Sequence, residues 1–96
     1  MDRYTMDRIP EIAKLFSAAE NASQIEKLLR ELLTGSEAAK LSLRWDIVKL
    51  LFEGKSQRTI AADLGVSLCK ITRGARELKK ENSALKKVFE EKHSSH

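Results

Sequence analysis

The chain holds one cysteine, one proline and four glycines in 96 residues, and aromatics make up only 5% of it. Each scarcity excludes something. A lone thiol, Cys69, allows no internal disulfide framework and fits a reducing compartment. One cysteine and two histidines near the C-terminus, His93 and His96, offer no zinc-ligand spacing. No apolar run approaches the roughly 18 residues of a membrane span, and the start lacks the charged-then-apolar pattern of an export signal. Paired carboxylates, a Ser/His/Asp set and a phosphate-cradling glycine loop are likewise missing, so an enzyme is not expected. With few helix breakers among many Leu, Ala, Lys and Glu, helix should dominate. These absences leave a small, cytoplasmic, all-α protein of one domain with a modest core.

What is present is concentrated charge. From Lys55 to Lys80 seven cations (Lys55, Arg58, Lys70, Arg73, Arg76, Lys79 and Lys80) face two carboxylates, Asp63 and Glu77, for a local net charge of +5. The whole chain carries only +4, so the remainder is close to neutral. A basic segment on a neutral body points to a polyanionic partner.

Residues 1–8 have no apolar period and read as a flexible arm. Pro10 suits a first helical turn, and Ile9, Ile12, Phe16 and Ala19 follow at helical spacing. Asn21 or Ser23 can cap a second helix with the stripe Ile25, Leu28, Leu29, Leu32 and Leu33. Thr34-Gly35-Ser36-Glu37 has the form of a capping box before a third helix, which Gly54 ends. Within that helix, eight of the twelve residues of Leu41–Phe52 are apolar and surround it. A surface helix of a small monomer shows one stripe. A helix apolar nearly all round needs cover on several sides, and a second copy of the chain supplies it most economically. We therefore expect 9–54 to be the dimerisation core of an interleaved homodimer; the alternative is a monomer whose other helices wrap the third.

Beyond Gly54, Ser56 caps a short helix with Ile60, Ala61 and Leu64 inward. Gly65 makes a tight turn, Val66 packs inward, and Ser67 caps a further helix carrying Ile71 and Leu78. This is the layout of a helix-turn-helix, giving a reading head over 55–80, although an ordinary helical hairpin shares much of it. Ser83 restarts a last helix over 83–92 with Leu85, Val88 and Phe89 packed, and 93–96 reads as a tail. About six helices result.

In a helix-turn-helix the second helix enters the major groove with its first residues on base edges. Those are Leu68, Cys69, Lys70 and Thr72. Lys70 suits guanine acceptors, Thr72 a base or a phosphate, and Leu68 and Cys69 a thymine methyl. Arg58 can reach a base edge or phosphate, and Arg76, Lys79 and Lys80 suit phosphates. Each of these cations is also an ordinary solvated charge until something binds it. Arg44 stands out because no carboxylate lies three or four residues away, so it needs a partner across the dimer or a ligand anion. Arg73 should lie on the inner side of its helix beside Gly74, with Glu77 as its local partner.

The stretch from about Leu32 to Lys79 resembles the bacterial trp repressor family, on Ser56-Gln57-Arg58, Asp63-Leu64-Gly65 and Ile71-Thr72-Arg73-Gly74. The likeness continues weakly through Leu85–Glu91. It implies an intertwined homodimer that binds a palindromic operator when L-tryptophan occupies a pocket beside each reading head. Arg44 would then bind the ligand carboxylate and Arg73 cover the indole, while Gly74 leaves room for the ring. Thr34, with backbone of Leu32 and Leu33, would meet the amino group. DNA contacts carry over to Gln57, Arg58, Leu68, Cys69, Lys70, Thr72 and Lys79. Three departures stand out. Glu77 replaces a common serine, the Gly54–Ser56 connection is about one residue shorter, and Cys69 and Lys70 replace smaller residues. Glu77 could grip the ligand ammonium or tie up Arg73. A ligand-independent helix-turn-helix regulator, or a helical adaptor whose basic head binds an acidic protein, would share the charge pattern.

Overall fold

The computed structural model describes residues 7–94, with side chains through Glu91. Among these residues the structure is all-helical, with no strand: α1 (Ile9–Ser17), α2 (Ala22–Leu32), α3 (Gly35–Phe52), α4 (Gln57–Leu64), α5 (Leu68–Lys79) and α6 (Ala84–Ser94). The arm expected over 1–8 lies outside the described residues except for Asp7 and Arg8, as do Ser95 and His96 of the tail. Two compact units meet within α3, between Ala39 and Lys40.

In the first unit, Pro10 stands in the first turn of α1 and the Asn21 side chain accepts from the Gln24 amide at 2.9 Å to start α2. The capping box forms in both directions. The Glu37 amide donates to Thr34 Oγ1 at 3.1 Å, and the Thr34 amide donates to Glu37 Oε1 at 2.9 Å. Two of the donors a helix start leaves without partners are satisfied by this one pair of side chains. Neither α1 nor α2 has a fully buried residue, and Ile9, Leu15 and Leu32 are 67%, 44% and 53% exposed.

The second unit is built on three isoleucines. Ile47 of α3, Ile60 of α4 and Ile71 of α5 form its centre, with Leu43, Leu50, Leu51, Ala61, Leu64 and Val66 packed against them. Ile60 and Ile71 are completely buried. Leu41 and Trp45, on the same apolar α3, remain 44% and 38% exposed. Gly54 ends the α3 segment at φ 93, in the left-handed region that glycine adopts without steric cost. Phe89 of α6 is buried and stacks on Phe52 and Trp45 of α3, with ring centroids 4.9 and 5.1 Å apart. Val88, expected to pack with it, is instead 44% exposed.

Ser56 anchors the entry to α4. Its side chain accepts from the Thr59 amide at 3.1 Å, and its hydroxyl lies 2.8 Å from Thr59 Oγ1. Ser56→Ala is expected to cost about 1 kcal/mol, the usual worth of such a cap. Urea unfolding should show this as a lower midpoint with an unchanged slope.

Candidate nucleic-acid interface

α4 and α5 are joined by Gly65, whose φ of 66 and ψ of 36 are left-handed. The Val66 amide donates to the Ala61 carbonyl at 3.1 Å, which closes the turn. Ile60 and Ile71 then hold the two helices together and to α3. Ser67 stands before α5 with extended backbone, but its side chain makes no capping bond. The reason is local: the Lys70 amide, a donor such a cap would take, is bonded to the Ser67 carbonyl at 3.2 Å.

The outward side of this two-helix unit carries the residues singled out in the sequence. Arg58, Leu68, Cys69, Lys70, Arg76 and Lys79 are exposed; Gln57 and Thr72 are half-buried. Among the described residues, no ion pair within 4.0 Å neutralises Arg58, Lys70, Arg73, Arg76 or Lys79. Unpaired cations on one exposed unit repel each other and favour an anionic partner.

Gln57 and Thr72 are joined, a contact between residues fifteen apart that local patterning did not reveal. The Thr72 hydroxyl lies 3.0 Å from Gln57 Oε1 and 3.0 Å from the Leu68 carbonyl, so its single proton is shared between two acceptors. The link ties the start of α4 to the first turns of α5. It also commits the Gln57 carbonyl oxygen inward and leaves its amide NH2 as the donor for an outside group.

Arg44 of α3 and Arg73 of α5 are both exposed, and neither forms an ion pair within 4.0 Å among the described residues. Arg73 was expected on the inner side of its helix. The inner position belongs to Gly74, where an added Cβ would meet Ile47 Cγ2 at 3.1 Å, Leu51 Cδ1 at 3.3 Å and Val48 Cγ2 at 3.8 Å. Ile47 and Val48 lie three and four residues after Arg44, on the same face of α3. The α3–α5 crossing thus falls one turn from Arg44 and next to Arg73. Glu77 pairs not with Arg73 but with Lys80, at 3.0 Å. The lysine three residues on is as close along the helix as the arginine four residues back, and both ends of the pair are solvent-exposed enough for it to be weak. In the first unit, Leu32 ends α2, Leu33 follows in extended backbone, and Thr34 holds the capping box.

Among the described residues, no group of three His, Cys, Asp or Glu could hold a metal ion, and no helix is long and apolar enough to cross a membrane. A left-handed glycine turn between two short helices, packed on a third through buried isoleucines and carrying unpaired cations outward, defines a helix-turn-helix protein. The sequence profile of the Trp repressor protein family matches residues 8–93, and the chain belongs to that family. It is 39% identical over 77 residues to a Trp operon repressor homolog of Vibrio parahaemolyticus, covering 79% of this chain and 75% of that one. A Trp operon repressor homolog of Vibrio cholerae is 41% identical over 70 residues, covering 72% and 68%. One of Xylella fastidiosa is 38% identical over 72 residues, covering 74% and 78%. No solved structure matches the chain. The family is one of regulatory repressors, not of enzymes.

Proposed function

We propose that the protein is a homodimeric transcriptional repressor that binds a palindromic operator through α5 when L-tryptophan is bound beside the reading head. The observation that carries this reading is the α4–α5 unit itself, with Lys70, Leu68 and Cys69 exposed on its first turn and unpaired cations around them. Phosphate contacts from Arg58, Arg76, Lys79 and the Gln57 amide would fix register, and Lys70 and Thr72 would read bases. The exposed apolar residues of α1 and α2, and those surrounding α3, support dimerisation, because a second chain would cover them. Two heads related by a twofold axis would then meet half-sites about one helical turn apart.

L-tryptophan suits Arg44 and Arg73, neither of which is in an ion pair within 4.0 Å among the described residues. Arg44 would take the carboxylate in a two-pronged hydrogen bond, and Arg73 would lie on the indole face. Glu77, leaving its weak pair with Lys80, would meet the ammonium. The ligand would shift a pre-existing equilibrium between head positions toward the one that spans successive major grooves. The second reading is a ligand-independent repressor locked by an Arg73–Glu77 pair, a pair that is not formed here, where Glu77 lies with Lys80.

Binding to a selected duplex and to random duplex separates the roles. Lys70→Ala should cost about 1–3 kcal/mol on the selected sequence and little on random DNA. Lys79→Ala should weaken both alike and lower the slope of log affinity against log salt by about one per half-site. Equal losses from both variants on both duplexes would count against this division. Binding without a steep fall in salt would count against DNA as the partner.

A further inference from the structure

An open groove of about 400 Å³ lies wholly in the second unit, where the end of α3, the start of α4, the end of α5 and the start of α6 meet. Its apolar lining is Leu51, Phe52, Ala75 and Leu78, whose side chains are buried or half-buried and so form its floor. Its rim is basic: Lys55, Lys79 and Lys86 line it, and no carboxylate does. None of the three ammonium groups is in an ion pair within 4.0 Å among the described residues. Three unneutralised lysines around an apolar floor select for a molecule that is negative at one end and apolar at the other. An inorganic anion would leave the floor wet, and a neutral apolar molecule would leave the lysines unpaired.

We propose that this groove is a second effector site, for a small monocarboxylate with an apolar tail or ring. The carboxylate sits among Lys55, Lys79 and Lys86, and the tail lies on Leu51, Phe52 and Leu78. The tail adds affinity through the apolar area it takes from water, at about 25 cal/mol per Å², which an acetate ion lacks. Lys79 and Gln57 line the groove as well. An occupied groove therefore places a negative charge among side chains that the proposed DNA face turns toward phosphate. Its ligand opposes DNA binding, and by reciprocity DNA weakens the ligand to the same degree. That antagonism rests on the function proposed above, whereas the ligand site itself does not.

The test is an NMR titration of the full chain, free of DNA and of L-tryptophan, with octanoate, acetate, octanol and inorganic phosphate. Octanoate is expected to saturate, to move the resonances of Leu51, Phe52 and Leu78, and to bind roughly tenfold more tightly than acetate or octanol. Lys86→Glu, and independently Lys55→Glu, should weaken octanoate by roughly tenfold, since each variant turns an attractive exposed charge into a repulsive one. Octanoate binding no better than acetate, or binding unchanged in both charge-reversal variants, overturns the proposal. Phosphate binding as well as octanoate overturns it too, and reduces the groove to a seat for a DNA phosphate. Adding octanoate to a protein–duplex complex then tests the antagonism: release is expected, and retention of the duplex at saturating octanoate removes that part alone.

Discussion

Replacing Ile71 with alanine is expected to be among the most damaging single changes in the chain. Its side chain is completely buried in the three-isoleucine centre that holds α5 to α4 and α3. Truncating such a residue removes its transfer free energy and leaves a cavity, at a total cost of about 2–5 kcal/mol. Small domains have only about 5–15 kcal/mol in all, so the variant should be partly unfolded at room temperature or close to it. Ile60→Ala should behave alike for the same reason. Lys70 and Thr72 flank Ile71, so the loss reaches the proposed base-reading turn as well as the core. Urea unfolding at matched protein concentration is the measurement, because stability of an oligomer depends on concentration. A loss well under 1 kcal/mol would mean that the α4–α5 unit is not held as described.

Gly74 supplies the second large effect, and two opposing terms decide its size. Alanine in a helix is better than glycine by up to about 1 kcal/mol. Against this, the new Cβ would stand 3.1 Å from Ile47 Cγ2, so that side chain must give way by a few tenths of an ångström. Leu51 Cδ1 is the end of a flexible side chain, but Ile47 Cγ2 is a branch methyl on the Cβ of a stiff, buried residue, so strain there offsets the helix gain and Gly74→Ala should leave stability within about 1 kcal/mol of the parent. Gly74→Val pushes two further methyl groups into the same crossing and should cost about 1–3 kcal/mol through overpacking. The contrast also separates packing from ligand binding. If the missing side chain serves L-tryptophan too, Gly74→Ala should lose ligand affinity while keeping its melting temperature. Parallel losses of both would assign the glycine to packing alone.

Local chemistry makes much of this structure legible in the sequence. The Thr34–Glu37 capping box, the Asn21 and Ser56 caps and the left-handed Gly54 and Gly65 are all settled by residues within four positions of each other, and the chain forms each of them. The Arg44 reading was of the same kind: with no carboxylate three or four residues away, no local pair could form. What patterning could not resolve was choice among partners and contact at a distance. Glu77 had Arg73 behind it and Lys80 ahead, and solvent-exposed helix spacing alone does not rank them. The Thr72–Gln57 bond and the Phe89 stack on Phe52 and Trp45 join residues that only the packed helices bring together. The crossing at Gly74 was invisible for that reason too. The sequence suggested room for a ligand there, whereas the structure adds a packing reason for glycine through Ile47 and Leu51.

The proposed gate is an amino acid held by Arg44 and Arg73. Calorimetric titration of L-tryptophan into the purified protein tests it most directly, since Trp45 and the ligand would both contribute to fluorescence. Saturable heat at one ligand per chain is predicted, abolished or weakened at least tenfold by Arg44→Ala, as removal of a two-pronged carboxylate contact demands. The absence of heat at two well-separated temperatures, or equal binding by the Arg44→Ala protein, would contradict it.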